Sequence, residues 1–320
     1  MYDFVKTKLL GINPKRLLLN SHLEFIQKVN TSTGELDNKQ TAITNNMVFK
    51  IVNGCYTNLN GSLHKYKNQG LHNYNDFTIS DLIEVLKDLS IKFDLNPYQT
   101  DIQNLEFGVN VELPYKVKGF LKSIVTYKGK EYNKETFNNR GYLLRFEFDH
   151  YDLKIYDKSL QYKLDKNIVR FEIKVKKMEY FNSKSRSIGI YTYVDLFKND
   201  VIIKLKKLLI DAFNDLVFYD FSIKINTITK KLDKELLSIG QNPKYWSEFK
   251  TPHTKQYYRD LKRYRALVLK YGNGNIQNHV LELITEKLDC VFKRNEKVET
   301  EIAEYLSSFQ QNSVLVLTAS

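Results

Sequence analysis

The stretch LLRFEFDHYDLKIYDKSLQYKLDKNIVRFEIKV, residues 143–175, decides how the chain is read. Its apolar residues recur at every second position for most of its length, the pattern of β-strands that bury one face and wet the other. Leu144, Phe146 and Phe148 share one side, and Arg145, Glu147 and Asp149 the other. In the next run Leu153 and Ile155 point one way, while Asp152, Lys154, Tyr156 and Lys158 point the opposite way. In the last, Val169, Phe171, Ile173 and Val175 face the core, so Arg170, Glu172, Lys174 and Lys176 fall on the solvent side. A tyrosine is thus expected on a polar sheet face among lysines, an arginine and carboxylates. Such a face suits phosphodiester chemistry.

Upstream, NLEFGVNVEL has the same parity. Leu105, Phe107, Val109 and Val111 are buried, and Glu106, Gly108, Asn110 and Glu112 share the other face, so Glu106 joins the polar group. Before it, TISDLIEVLKDLSIKF predicts a helix capped by Ser80, with Leu82, Val85, Leu86 and Leu89 as its stripe; Pro97 closes that unit. NMVFKIVNG and CYTNLNGSLHKYKNQG read as paired strands turned at Asn53-Gly54 and Asn60-Gly61. Residues 1–45 are mixed: SHLEFIQKV is a short strand or helix, and NTSTGELDNKQ a polar loop. Residues 114–141 read as a helix or crossover followed by a lysine-rich loop, and helices are expected over 192–197 and 201–218.

The expected fold class is α+β: antiparallel sheets with packed helices, an order of elements that allows a duplicated unit, and a C-terminal helical domain. The boundary falls near residue 225. Beyond it the chain turns helical and basic, with PHTKQYYRDLKRYRALVLKYG as one helix begun near Pro252 and stopped at Gly272. Tyr257, Leu261, Tyr264 and Val268 form its stripe, and Lys255, Arg259, Lys262, Arg263, Arg265 and Lys270 face a single acid, Asp260. Trp246, the only tryptophan, is read as core.

The 320 residues are 42% hydrophobic and 13% aromatic, enough for a real core. A formal net charge of +12, with 22 Tyr and 19 Phe, suits a polyanionic partner and offers rings for unpaired bases. Lysine-rich composition alone gives the same charge. Cys55 and Cys290 are far apart in sequence and in no ligand spacing, which fits a reducing cytoplasm and argues against a disulfide scaffold or zinc finger. No apolar run is long enough for a signal peptide or membrane span, so a cytoplasmic location without membrane contact is expected.

There is no GxxxxGK[ST] and no HExxH, and none of the six histidines forms a His-hydrophobic-His pair. The constellation left is Glu106, Tyr156, Arg170 and Glu172. A phenol with an ordinary pKa near 10 is a poor nucleophile at neutral pH and needs a metal, a base or a cation to stabilise its phenolate. Carboxylates on adjacent strands can hold Mg²⁺ or Mn²⁺, and Arg170, Lys154 or Lys158 can neutralise charge developing on a phosphate. On the residues alone the alternative is an ordinary sheet face, with Arg170 and Glu172 as cross-strand ion-pair formers.

LKIYDK followed by NIVRFEIKV resembles the tyrosine segment and RFE strand of the gene II replication initiators of filamentous phages, and IQNLEFGVNV is similar to their acidic strand. The wider class includes the Rep_trans initiators of rolling-circle plasmids, with a Tyr-x-Lys phrase after a strand. The resemblance covers roughly residues 48–220 as a spread of motifs. It implies Tyr156 as nucleophile, Lys158 as the lysine after it, Arg170 as the arginine of the RFE strand, and Glu172 and Glu106 as ligands of Mg²⁺ or Mn²⁺. With the boundary read from composition, residues 1–225 are then expected to be a nicking domain and 226–320 a helical accessory domain with a basic face. Glu106 departs from the aspartate expected there. GSLHKY, with His64 and Lys65, resembles an early strand of the same family. Tyr151 and Tyr162 are rival nucleophiles, Tyr151 disfavoured by parity.

The implied activity is nicking of one strand of a duplex origin, with a 5′-phosphotyrosine link, a free 3′-hydroxyl for host polymerase, and later rejoining. Implied partners are duplex and single-stranded origin DNA, host helicase and host polymerase. Lys65, Lys154, Lys174, Arg259, Lys262 and Arg263 are the candidate DNA contacts. A non-catalytic DNA-binding protein and a small mobilisation relaxase are the alternatives.

Overall fold

In the computed structural model, which describes residues 2–136, 142–250 and 254–317, two halves of the chain build the same arrangement twice. The first half opens with Tyr2–Leu9 (β1) and the short helix Pro14–Leu18 (α1). A meander follows: Ile26–Val29 (β2), Leu36–Thr44 (β3), Met47–Val52 (β4) and Tyr56–Ser62 (β5), the last returning to pair with β1. Leu63–Lys67 (α2) and the long helix Ile79–Phe93 (α3) complete it.

The second half opens with Thr100–Glu112 (β6), then Val117–Ser123 (α4) and Ile124–Tyr127 (β7). Its meander is Asn133–Thr136 (β8), Tyr142–Glu147 (β9), Tyr151–Asp157 (β10) and, after Lys158–Tyr162 (α5), Ile168–Val175 (β11), which returns to β6. Glu179–Asn182 (α6), a 3₁₀ turn at Tyr193–Phe197 and the long helix Asn199–Asn214 (α7) follow. The single antiparallel sheet runs β2-β3-β4-β5-β1-β6-β11-β10-β9-β8, so each half has its first strand at the centre and its meander reaching outward. The duplicated α+β unit is therefore real, with β1 and β6 side by side at the join.

One sheet face is apolar. On it Phe49 meets Phe93 of α3 at 4.7 Å between ring centroids, and Phe171 meets Phe213 of α7 at 5.4 Å. Ile276–Val291 (α11) packs over β6 between them, and Glu296–Leu317 (α12) lies along α3. Leu216–Phe218 (β12) pairs with β7 in a small second sheet. Lys231–Ile239 (α8), Pro243–Lys250 (α9) and Thr254–Tyr271 (α10) gather around the buried Trp246, whose Nε1 donates to the Gly240 carbonyl at 2.8 Å. Residues beyond 225 thus divide between two clusters, since Val280, Ile284, Leu288 and Ile302 belong to the main core. Pro252 and residues 137–141 of the lysine-rich loop lie outside the described residues.

Several local expectations change. Helix α3 is capped by Thr78 rather than Ser80, because Thr78 and Asp81 form the reciprocal capping box. The turn joining β4 to β5 uses Asn53-Gly54, both at positive φ, whereas Asn60-Gly61 lies inside β5, paired with β1 and β4. His64 and Lys65 sit on α2 rather than on a strand. Residues 36–40 of the supposed loop open β3, which runs on to Thr44 and whose alternate polar side chains suit a half-exposed strand.

Candidate active site

Register assembles the site from four adjacent strands. Tyr156 lies opposite Arg170 and Lys154 opposite Glu172 on the β10–β11 ladder; on the β11–β6 ladder Arg170 faces Asn110, Glu172 faces Gly108 and Lys174 faces Glu106. Gly108 has to be glycine, since a Cβ there would stand 2.5 Å from the Cβ of Glu172. The expected group of Glu106, Tyr156, Arg170 and Glu172 therefore does converge. Asp3 of β1 completes it: its carboxylate joins those of Glu106 and Glu172, with ligand oxygens all within 4.8 Å of one another. Asp3 was not apparent in the sequence, because a register shift between Tyr2 and Val5 turns both Asp3 and Phe4 to the polar face. Simple alternation would have sent Asp3 to the side of Val5.

The face expected to be wet is closed. Arg170 is 0% exposed, Lys158 1%, Glu172 2% and Tyr156 6%. The segment between α2 and α3, together with α5, covers them. Asn110 Nδ2 donates to the carbonyls of Asn73 (3.0 Å) and Asn75 (3.1 Å), Asn73 Nδ2 donates to Asp3 Oδ2 (2.6 Å), and the Tyr162 hydroxyl donates to Asn73 Oδ1 (2.8 Å). Tyr162 thus has a structural partner in the cover. Tyr151 lies in the aromatic core, stacked on Phe148, as parity required.

Cations thread the carboxylates. Arg170 donates from Nε to Glu172 (2.6 Å), from Nη2 to Asp3 (3.0 Å) and from Nη1 to Asn110 (3.2 Å). Lys154 Nζ bridges Glu106 (3.0 Å) and Glu172 (3.2 Å), and Lys174 Nζ reaches Glu106 at 3.1 Å. Burial alone would raise Glu172, but Lys154 and Arg170 outweigh it and hold the carboxyl down at about 2. Burial of Asp3 is likewise overcome, chiefly by Arg170, and its carboxyl lies well below the usual range. Two of the three acids are therefore firmly ionised, as metal ligands must be. The oxygen donor set fits a hard divalent ion, which would compete with Lys154 for Glu106 and Glu172.

Tyr156 stands beside this group. Burial, reinforced by the Glu172 charge, raises its phenol well above the ordinary value, so it is held protonated. Lys158 opens α5, where Asp157 caps the helix by accepting from Leu160 N at 2.9 Å, and its Nζ lies 3.4 Å from the Tyr156 hydroxyl. Burial, then the nearby Arg170 guanidinium, pull the Lys158 ammonium down to about 7. A lysine able to be neutral near physiological pH thus faces the phenol proton. His64, missed as a neighbour of this group, donates from Nε2 to Asn75 Oδ1 at 2.8 Å under the same cover, and burial pushes its imidazole down to about 3.

Of the candidate DNA contacts, Lys65 is half-buried on α2 and close enough to depress Lys158, Lys154 is engaged in the carboxylate group, and Lys174 is half-exposed at its margin. Arg259, Lys262 and Arg263 are exposed on α10, which belongs to the second hydrophobic cluster, and Arg263 pairs with Asp233 at 2.7 Å. The structure does not bring them into the group around Tyr156.

Ionised buried carboxylates beside a tyrosine–lysine pair on an antiparallel sheet are chemically suited to phosphodiester transfer. No family model matches this chain, and no curated protein matches it. Among solved structures the chain is similar to one described as "Structure of Rolling Circle Replication Initiator Protein from Geobacillus stearothermophilus", at 12% identity and a TM-score of 0.41, over 85% of this chain and 98% of that one. No described helix is long and apolar enough to cross a membrane.

Proposed function

We propose that the chain is a rolling-circle DNA replication initiator that nicks one strand of a duplex origin through Tyr156. The observation that carries the reading is the 3.4 Å approach of Lys158 Nζ to the Tyr156 hydroxyl beside the Asp3, Glu106 and Glu172 carboxylates. In the step, the phenol oxygen forms a bond to phosphorus and the bond from phosphorus to the 3′-oxygen breaks. Lys158 accepts the phenol proton, and the leaving oxygen takes up a proton to become the 3′-hydroxyl. The product is a 5′-phosphotyrosine, and attack by a 3′-hydroxyl reverses the step and rejoins the strand. One phosphodiester replaces another, so no outside energy source is required.

Asp3, Glu106 and Glu172 would hold Mg²⁺ or Mn²⁺, which when bound polarises the scissile phosphate. Arg170, fully buried between Asp3 and Glu172, is a positioning residue that keeps both carboxylates ionised and in place. All of these residues precede position 225; residues 226–320 are assigned to an accessory role, with Arg259, Lys262 and Arg263 holding duplex phosphates. Origin DNA, host helicase and host polymerase are the partners of this reading.

The closed cover over Tyr156 and the cation on each carboxylate favour a second reading, a non-catalytic DNA binder whose ion network is structural. Incubation with supercoiled DNA of the protein's own replicon and Mn²⁺, followed by peptide mapping, separates the two. A covalent DNA adduct on the Tyr156 peptide, absent in Tyr156→Phe, is the expected result. Binding without nick or adduct in either Mg²⁺ or Mn²⁺ overturns the nickase.

A further inference from the structure

The halves of the duplicated sheet differ on the face opposite the helices. In the second half that face carries Glu106, Glu172 and Tyr156. In the first half, β2-β3-β4-β5-β1, only Asp3, at the join with β6, belongs to that group, and the rest of the face has a distinctive composition. Register places Lys6, Asn60, Val48 and Ile43 in one row, and Lys8, Asn58, Lys50 and Thr41 in the next. Beyond these, Tyr56, Val52 and Lys39 line up in a third. The reverse side of the same strands is sealed, with Met47, Phe49, Ile51 and Leu59 at 0% exposure. The open side leaves Ile43 69% and Tyr56 53% exposed.

Lys6, Lys8, Lys39 and Lys50 form no ion pair among the described residues, and Lys8 Nζ lies 5.4 Å from the centroid of the Tyr56 ring. The acids on this face, Asp37 and Asp101 together with the buried Asp3 of β1, are outnumbered by these four lysines. The Oδ1 of Asn60 is buried with no hydrogen-bond partner. The surface is continuous with the acidic group, because Phe4 of β1 carries Lys174 above its ring at 5.4 Å and Lys174 reaches Glu106.

We propose that this open face is a platform for single-stranded DNA leading to the scissile phosphate. Exposed Tyr56 and Ile43 offer ring and apolar surface to unpaired bases, and the lysines neutralise phosphates. A duplex, with its base faces stacked inside, has nothing to set against Tyr56. The assignment rests on the nicking reading for what the strand leads to, but the binding itself is separable from the chemistry.

The test uses the full chain carrying Tyr156→Phe and a fluorescein-labelled single strand of about 30 nucleotides in EDTA, read by anisotropy across a salt series. Lys8→Glu with Lys50→Glu is expected to weaken binding at least roughly tenfold and to shrink the salt slope by about one and a half. Tyr56→Ala is expected to weaken it about fivefold or more with the slope unchanged. Lys297→Glu, distant in the chain on α12, serves as the control and is expected to bind as the parent. Should a variant lose its fold by circular dichroism, photocrosslinking of a bromouracil-substituted strand to the Tyr56 peptide of the unaltered platform decides instead.

Unchanged binding in both variants, or no crosslink at that peptide, overturns the platform, as does an equal loss of duplex affinity or tighter binding of the matching RNA. Adduct formation at Tyr156 is measured in parallel with Mn²⁺. An adduct with unaffected binding in the platform variants removes this inference and leaves the nickase standing. Lost binding in those variants with no adduct in wild type does the reverse.

Discussion

Tyr156 and Lys158 set opposite demands on one pocket: burial makes the phenol harder to ionise and the ammonium easier to discharge. The sign fixes the pH dependence. Below about 7 Lys158 is protonated and cannot accept the phenol proton, so adduct formation should fall with decreasing pH and level off above that value. Quenched single-turnover assays across pH 5.5–9, a range around that value, check it. Lys158→Arg keeps the charge and cannot be discharged, so it should lose about 10²-fold or more in rate and lose the rise through neutrality. A Lys158→Arg enzyme with the wild-type rate and profile would reduce Lys158 to a fixed charge. The sequence made Tyr156, Arg170, Glu172 and Glu106 legible because period-two alternation holds through β6, β10 and β11. Asp3 was hidden by a one-residue irregularity, and the closed cover by hydrogen bonds that the Asn110 amide donates to the Asn73 and Asn75 carbonyls, more than thirty positions away.

The strands place these groups through close contact, and β6 shows the constraint most sharply. Gly108 lets Glu172 stand between β6 and β10. Gly108→Ala would drive a methyl group to 2.2 Å from the Phe171 carbonyl oxygen and force the ladder apart. Overpacking of this kind costs roughly 1–3 kcal/mol, and the displaced Glu172 should also loosen its bond to Arg170. A chemical-denaturation midpoint lowered together with metal affinity is the expected pair of results. Phe171→Ala acts on the opposite face of β11, where the ring meets Phe213. It should cost about 3–5 kcal/mol without altering metal affinity per folded molecule. The two variants separate strand spacing from core filling. Alternation shows which side chains share a face; the need for glycine at 108 depends on which residue lies across the ladder, and only the register supplies that.

Across the whole molecule, duplication gives two sheet halves with one buried helical side and lets their other faces diverge. Its join brings Asp3 of the first half to Glu106 and Glu172 of the second, so the acidic group belongs to neither unit alone. The order of strands and helices made a repeated unit conceivable from the sequence, but residues with no shared motif could not show that β1 and β6 pair. The charge balance at the join yields a decisive experiment. Glu172 titrates below its unfolded value, so its contribution to stability is present above about 4.5 and is lost as pH falls toward about 2. Acid should therefore unfold the protein through this network, and a divalent ion should protect it near neutrality. Bound at a hundred times its dissociation constant, Mn²⁺ would add about 2.7 kcal/mol, seen as a higher melting temperature. Lys154→Met keeps the length of the side chain and removes the cation that competes for Glu106 and Glu172, so it should bind Mn²⁺ more tightly in calorimetry. Glu172→Gln should bind it more weakly and leave Arg170 and Lys154 short of a partner, at a cost of about 3–5 kcal/mol. If neither wild type nor Lys154→Met responds to millimolar Mn²⁺, the carboxylates are a structural ion network and the metal is removed from the reaction.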